Sequence, residues 1–283
     1  MGEKSARLFS EDFDTLTKSI EGSFLEEPGP GALPEDRDGD DSIHGILVPN
    51  DDYRLSGYAM AWAYKEIAQS EFKDVYVVLG HRKGDSRLIT SDIHTPLGVT
   101  RTDKDVASSL VRETGIYSEE SQDISDSIGM QIPFLQYASR DRLSRLKILC
   151  IETGDSITEE QLEVLAHFLK KILAEKKKTY TIICSSNLTE FGDKFGYKPF
   201  IYNVKESIEN IDFHVKDDIE KNDWKDIIRF VKREKANIPG FMSIVLAMML
   251  LQDKERKFLQ YYRSDYIEEK SDESSSYLSM MFL

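Results

Sequence analysis

The sequence contains little cysteine, no long apolar run and no excess of positive charge. Its 283 residues include two cysteines, Cys150 and Cys184. Each ends an apolar run, which excludes a disulfide scaffold and favours buried thiols. The longest apolar stretch, residues 244–251, is far shorter than the roughly 20 residues that cross a bilayer. Lys and Arg number 37 and Asp and Glu 51, a net charge of −14 that disfavours binding to a phosphate backbone. We therefore expect neither a membrane nor a nucleic-acid partner.

The composition predicts a globular protein of the cytoplasm. Hydrophobic residues make up 40% of the chain and aromatic residues 10%, too much for a mostly disordered chain. Residues 1–14 lack the apolar core of a secretory signal. We expect one large domain or two small ones from a chain of this length.

Short apolar runs alternate with amphipathic segments along the chain. The runs predict four strands, at residues 44–49, 74–80, 146–151 and 179–186. Helical spacing follows the first run, and between the last two Thr158 and Gln161 form a possible capping box ahead of a stripe of leucine and isoleucine. The pattern predicts an α/β domain with a mixed, partly parallel sheet flanked by helices.

The second half of the chain adds two helices and two strands. Apolar spacing predicts a helix over about 216–232, and a second helix beginning at Pro239 whose residues 244–251 are apolar on every face and therefore central. Residues 257–267 and 275–282 read as late strands separated by an acidic turn. Residues 26–41 are a long loop, so we expect an N-terminal segment, 1–43, packed on a domain that spans 44–283.

Eight short runs, in order, resemble the signature segments of the Memo-like family. They begin with VPNDDYRLSG (48–57) and VVLGHRKG (77–84). The closest match is HTPLGVTRTD (94–103), which keeps the Thr-Pro-Leu-Gly of the family. The others are DSIGMQIPFLQ (126–136), CSSNLTEFG (184–192), NIPGFMSI (237–244), FLQYYRS (258–264) and SYLSMMF (276–282). The resemblance implies a fold similar to the class III extradiol dioxygenases, with a pocket at the carboxyl ends of the strands.

The resemblance also implies a pocket with histidines and a cysteine able to hold a metal, but these positions are altered here. The altered positions are Asn50, Asp126, Glu190 and Pro239. The histidine of the family's second strand corresponds to Lys83 if the segments align without a gap, and to His81 if two residues are missing here. An iron or copper site of the family kind should not form from these side chains, so we expect no cofactor. The residues expected to line the pocket are Asn50, Asp51, His81, Lys83, His94, Asp126, Asn187, Glu190 and Pro239. Of these, Asn50, His81, Asp126, Glu190 and Pro239 should converge on one cleft.

Most of these residues also have an ordinary structural interpretation. Asp51 and Asp52 are either an acid/base pair or caps of the next helix. His94 either faces the pocket or is a hydrogen-bonded structural imidazole. The segment GHRKG (80–84) is a weak anion-site hypothesis. His167 is expected on the surface, and for His44 and His214 the sequence indicates no partner.

Three functions follow as hypotheses. The first is a non-catalytic member with a degenerate site that binds a peptide, a protein or a small ligand. The second is an oxidoreductase or hydrolase in which His81, Asp126 and Glu190 hold a divalent metal. The third is a structural subunit of a larger complex, which exposure of the 244–251 helix would favour.

Overall fold

A computed structural model of the chain describes residues 10–37, 39, 42–268 and 272–283. The elements before residue 130 are α1 (Phe13–Leu25), β1 (Gly45–Val48), α2 (Tyr53–Gln69), β2 (Val75–Arg82), β3 (Arg87–Ile89), β4 (Ile93–Thr95), β5 (Gly98–Thr102), α3 (Lys104–Thr114), β6 (Tyr117–Glu119) and α4 (Asp126–Gly129). The remaining elements are α5 (Gln131–Ala138), β7 (Lys147–Gly154), α6 (Glu159–Glu175), β8 (Tyr180–Ser185), β9 (Glu190–Phe191), α7 (Val204–Lys221), α8 (Trp224–Glu234), α9 (Phe241–Leu250), β10 (Arg256–Arg263), α10 (Ser264–Glu268) and β11 (Ser274–Phe282).

The central strands β1, β8, β2 and β7 are parallel neighbours. These are the four strands predicted from the apolar runs. On one side β11 pairs antiparallel with β1, and β10 pairs antiparallel with β11 at the edge of the sheet. On the other side β3 pairs antiparallel with β7, and β6 follows β3. The expected α/β domain with a mixed, partly parallel sheet is confirmed.

Helices cover both faces of the sheet, because side chains of successive strand residues point to opposite faces. Val75, Val77 and Leu79 of β2 belong to one apolar cluster with residues of α3, α6, α8 and α9. Tyr76 and Val78 belong to a second cluster with α1, α2 and α5. Parallel strands covered on both faces are apolar along their length, which is why they could be recognised in the sequence.

Local signals in the sequence account for several helix ends. The capping box predicted at Thr158 forms, with Thr158 Oγ1 accepting from Gln161 N and Gln161 Oε1 accepting from Thr158 N. The predicted single helix over 216–232 is wrong. The chain ends α7 at Lys221, takes a left-handed conformation at Asn222, and starts α8 after Asp223, whose side chain caps the new helix. An Asn followed by Asp is suited to such a break.

The apolar helix α9 is central, as predicted. Its residues from Met242 to Leu250 are all buried, together with Leu251, and each large side chain removed from water contributes about 1.5–3 kcal/mol. The helix begins at Phe241, two residues after the expected Pro239. Burial of α9 removes the observation that would have favoured the structural-subunit hypothesis. Among the described helices, none is long and apolar enough to cross a membrane.

An N-terminal helix packs on the domain, and two strands form near the C-terminus. The helix α1 packs on α2 and α5 and places Leu16, Ile20 and Phe24 in the second apolar cluster. Both late strands form, but the first, predicted over 257–267, ends at Arg263, and Ser264–Glu268 is helical. Residues 1–9 and the middle of the expected acidic turn, 269–271, lie outside the described residues.

Candidate functional site

The carboxyl ends of the parallel strands meet at one edge of the sheet, and the altered segments lie there. Asn50 and Asp51 follow β1, His81 is the seventh residue of β2, and Asn187 and Glu190 follow β8. The segment with Asp126 reaches this edge through Ser127, whose Oγ accepts a hydrogen bond from His81 N and donates one to His81 O.

Close approach of the backbone brings the Pro239 segment to the same edge. A Cβ on Gly240 would lie 2.3 Å from Ser186 Oγ, so only glycine fits between Pro239 and α9. Further along, Ser243 Oγ of α9 donates to Gly80 O of β2 over 2.8 Å. The chain segments carrying Asn50, His81, Asp126, Glu190 and Pro239 therefore share one edge of the sheet.

A hydrogen-bond network joins the ends of β1 and β8. Asn187 Oδ1 accepts from Asn50 N at 2.9 Å, and Asn187 Nδ2 donates to Glu190 Oε1 at 3.0 Å. Gln131 donates both to Pro49 O and to Ser185 Oγ. Asn50 is buried, and its Nδ2 has no hydrogen-bond partner within the described structure. The network holds Glu190 in place through an amide rather than leaving it free.

The charge of Asp51 acts on two further carboxylates at this edge, those of Glu190 and Asp126. Burial and the charge of Asp51 raise the pKa of Glu190 above its ordinary value, against the hydrogen bond from Asn187, which lowers it. Partial burial and the same Asp51 raise the pKa of Asp126, which lies at the exposed rim. Asp51 itself accepts a hydrogen bond from Tyr277 OH at 2.8 Å. Asp51, Asp126 and Glu190, which we call the acidic trio, thus form an electronegative site.

His81 lies near this edge but faces other carboxylates. Burial lowers the pKa of its imidazole, while the charges of Asp155 and Glu152 act in the opposite direction. Its Nδ1 is buried and has no hydrogen-bond partner among the described residues. Lys83, the other choice for the second-strand histidine, is exposed in the turn after β2.

Several other residues of the predicted pocket have plain structural positions. His94 is exposed in the short strand β4 and does not share the buried surroundings of Glu190. Asp52 caps α2, its side chain accepting from Arg54 N at 2.9 Å, so the capping interpretation holds for this residue. Burial raises the pKa of the Cys184 thiol, which opposes formation of a nucleophilic thiolate.

The residues present do not fit the metal that the resemblance implies. Pro239 offers no ligand atom, and the side chain of Asn50 is a weak ligand. Within the part of the chain that the structure describes, His81, Asp126 and Glu190 do not bring one ligand atom each within 4.8 Å of one another. The alternative metal site is therefore not assembled.

Sequence reasoning missed the polar side chains that support the trio. Ser127 and Gln131 lie in the consecutive helices α4 and α5, Tyr277 lies in the distant strand β11, and nothing in their local pattern marks them. Their positions follow only from the pairing of β11 with β1 and from the packing of α4 and α5 beneath the edge.

The fold and this site define a single-domain α/β protein whose acidic trio lies at the carboxyl edge of its parallel strands, the edge at which open α/β sheets form a ligand cleft. The family model described as Memo-like protein matches residues 5–281, and the chain belongs to the Memo-like family.

Relatives from archaea and yeast match over most of their length. A MEMO1 family protein of Methanobrevibacter smithii is 28% identical and covers 86% of this chain and 83% of its own. One from Sulfolobus acidocaldarius is 28% identical and covers 94% of this chain and 93% of its own. One from Schizosaccharomyces pombe is 23% identical and covers 95% of this chain and 94% of its own. An uncharacterized Escherichia coli K12 protein of known structure has a TM-score of 0.56 at 9% identity, covering 84% of this chain and 99% of its own. That likeness shows the fold alone.

Replacing Glu190 with Gln is expected to change the pH dependence of stability. Because the folded pKa is raised, the folded state keeps a proton that the unfolded state loses as pH rises above the ordinary value of about 4.3. Wild-type stability contributed by this group is therefore lost as pH rises through the folded pKa. Urea unfolding from about pH 4 to pH 8 should show Glu190→Gln gaining stability relative to wild type at the higher pH. The matched control Glu163→Gln, at an exposed position of α6, should show no such trend. If the stability of wild type and of Glu190→Gln changes with pH in parallel, the raised pKa of Glu190 is contradicted.

Proposed function

We propose that this chain is a non-catalytic, ligand-binding member of the Memo-like family. The observation that supports the proposal is the acidic trio of Asp51, Asp126 and Glu190 at the edge where the resemblance implies metal-binding histidines. Pro239 and Asn50 supply no strong ligand there, and Glu190 is held by Asn187. The cleft is degenerate as a metal site and retained as a binding site.

The ligand is a cation: an amine or guanidinium group carried by a peptide, a partner protein or a small molecule. Two carboxyls with raised pKa near a third gain free energy when a positive charge is placed among them. Asn50 Nδ2, a donor without a partner among the described residues, suits an acceptor atom beside the cationic group. The free, buried thiols of Cys150 and Cys184 agree with a reducing compartment, and we place the protein in the cytoplasm.

Binding of cationic probes tests the proposal. Putrescine and a peptide containing Lys and Arg are titrated by calorimetry into wild type, Asp126→Asn, Glu190→Gln and the control Glu163→Gln. Because a hydrogen bond to a charged group is worth about 1.5–3 kcal/mol, each cleft variant should weaken binding about tenfold or more. Added salt should weaken binding to wild type as well.

Two results would contradict the proposal. One is binding that neither cleft substitution alters. The other is cleavage of a catechol ring by protein supplied with ferrous iron, provided that Asp126→Asn or Glu190→Gln abolishes it, which would favour the enzyme hypothesis with replacement ligands.

A further inference from the structure

A second cluster of ligand-type side chains lies at the junction of α7 and α8, outside the cleft. His214 and Asp218 are one turn apart on α7 and therefore lie on the same face of the helix. The chain then reverses at Asn222, where φ is 58°, and Asp223 caps α8. This reversal places Asp226, in the first turn of α8, beside His214.

Two distances in this cluster are close to those expected around one metal ion. His214 Nε2 is 3.1 Å from Asp226 Oδ2 and 3.4 Å from Asp218 Oδ2. The three ligand atoms all lie within 4.8 Å of one another. Ligand atoms at about 2.0–2.2 Å from a tetrahedral zinc ion are roughly 3.3–3.5 Å apart.

The buried carboxylate of Asp218 indicates that the cluster binds a cation. It is 6% exposed, and its Oδ2, directed at the imidazole, accepts no hydrogen bond from the described residues. A neutral imidazole carries at most one proton on Nε2, so it cannot donate to both carboxylates equally well. A buried carboxylate oxygen without a donor costs free energy, and a cation between the three atoms removes that cost.

Neighbouring side chains orient the cluster without occupying it. Arg229 Nη2 donates to Asp226 Oδ1 at 2.9 Å, which leaves Oδ2 directed at His214. The ring of His214 stacks on Phe230 with centroids 3.8 Å apart. Partners of this kind fix the direction of metal ligands. The side chains of His214 and Asp226 are 37% and 30% exposed, so an ion and a water ligand have access.

We propose that His214 Nε2, Asp218 Oδ2 and Asp226 Oδ2 bind a zinc ion, with water as the fourth ligand. One imidazole nitrogen with two carboxylate oxygens suits zinc among the divalent metals. The ion links α7 to α8 across the turn at Asn222. None of the residues of the acidic trio contributes to it, so this site is independent of the proposed function of the cleft.

Zinc binding to chelator-treated protein tests the site. Equilibrium dialysis against zinc, with the metal measured by mass spectrometry, should give one equivalent per chain. His214→Gln and Asp226→Asn should each weaken binding at least tenfold, since even partners of metal ligands cost 10–100-fold. Asp226 is only partly buried, so its variant reports on binding should the His214 variant fold poorly. Cobalt substituted for zinc should give the visible absorption of a tetrahedral ion, and both variants should lose it.

Matched controls separate this site from the rest of the protein. His167→Gln, at an exposed position of α6, and His81→Gln, at the cleft, should bind zinc as wild type does. Loss of zinc in His81→Gln with retention in His214→Gln would overturn the proposal and point to the cleft. Absence of binding to wild type would overturn it as well, and the cluster would then be an ion pair of His214 with Asp218 and Asp226.

Discussion

Replacing Arg87 with Met is expected to lower the free energy of unfolding by about 3–5 kcal/mol, because it removes the nearer of two cations from a buried carboxylate and leaves Arg82 Nε at 3.5 Å from Glu152 Oε2. Glu152 is fully buried and Arg87 is 5% exposed. Arg87 Nε donates to Glu152 Oε2 at 2.5 Å, and Nη1 donates to Glu119 Oε2. Equilibrium unfolding in urea measures the change.

The same pair supports the segment that carries Asp126. Glu152 Oε1 accepts from Ser125 N at 2.6 Å, and Arg87 Nη2 donates to Asp123 O. Breaking the pair should therefore increase hydrogen exchange at the Ser125 amide beyond the general loss of stability. The position of the Asp126 segment therefore depends on this ion pair.

A matched control uses an exposed pair. Arg54→Met removes the partner of Asp52, but the Arg54 side chain is 78% exposed, and such pairs contribute about 0–1 kcal/mol. The double variant Arg87→Met with Glu152→Gln should recover part of the loss, since it removes the unpaired charge. A loss below about 1 kcal/mol in Arg87→Met would show that water already reaches Glu152.

The sequence predicts the central strands and the apolar helix because their signals are local. Residues of β2, β7 and β8 form continuous apolar runs, and α9 is apolar on every face. The short strands β3 to β6 have three to five residues each and lie beside turns. Their positions mix polar and apolar residues, and nothing in this pattern separates them from loops. The single helix expected over 216–232 shows a second limit, since apolar spacing continues across Asn222 and Asp223 while the backbone does not.

The candidate sites likewise have one part that the sequence predicts and one part that it does not. The resemblance places Asn50, Asp126 and Glu190 near one another, and the contacts at the sheet edge agree. It could not show that His81 faces Asp155 and Glu152, because that depends on which strand lies beside β2. The spacing of His214 and Asp218 by four residues is visible in the sequence, but Asp226 joins them only after the unpredicted turn. The positions of His81 and Asp226 depend on how distant parts of the chain pack together, and the types of neighbouring residues do not reveal that packing.

Replacing Phe134 with Ala is expected to lower the free energy of unfolding by about 3–5 kcal/mol. The ring is fully buried between α1, α2 and α5. Its centroid is 4.9 Å from that of Tyr53, nearly perpendicular to it, and 5.3 Å from that of Tyr64. Aromatic pairs of this kind add about 0.5–1.5 kcal/mol to the burial of area. Thermal and urea unfolding measure the loss, and Phe13→Ala, at a 54% exposed ring, serves as the control with an expected change within about 0.5 kcal/mol.

The consequence of Phe134→Ala should extend to the cleft and to the N-terminal helix. Tyr53 OH donates to Met130 O at 2.6 Å, and Tyr53 follows Asp51 and Asp52 directly, so a displaced Tyr53 ring shifts one member of the acidic trio. Phe24 of α1 also contacts Phe134, with centroids 5.9 Å apart. If residues of α1 are part of the same cooperative unit, their amides should lose protection together with those of α2 and α5 in the variant. Protection of α1 that stays unchanged, or a loss of stability below about 1.5 kcal/mol, would show that α1 and Phe134 do not share one core.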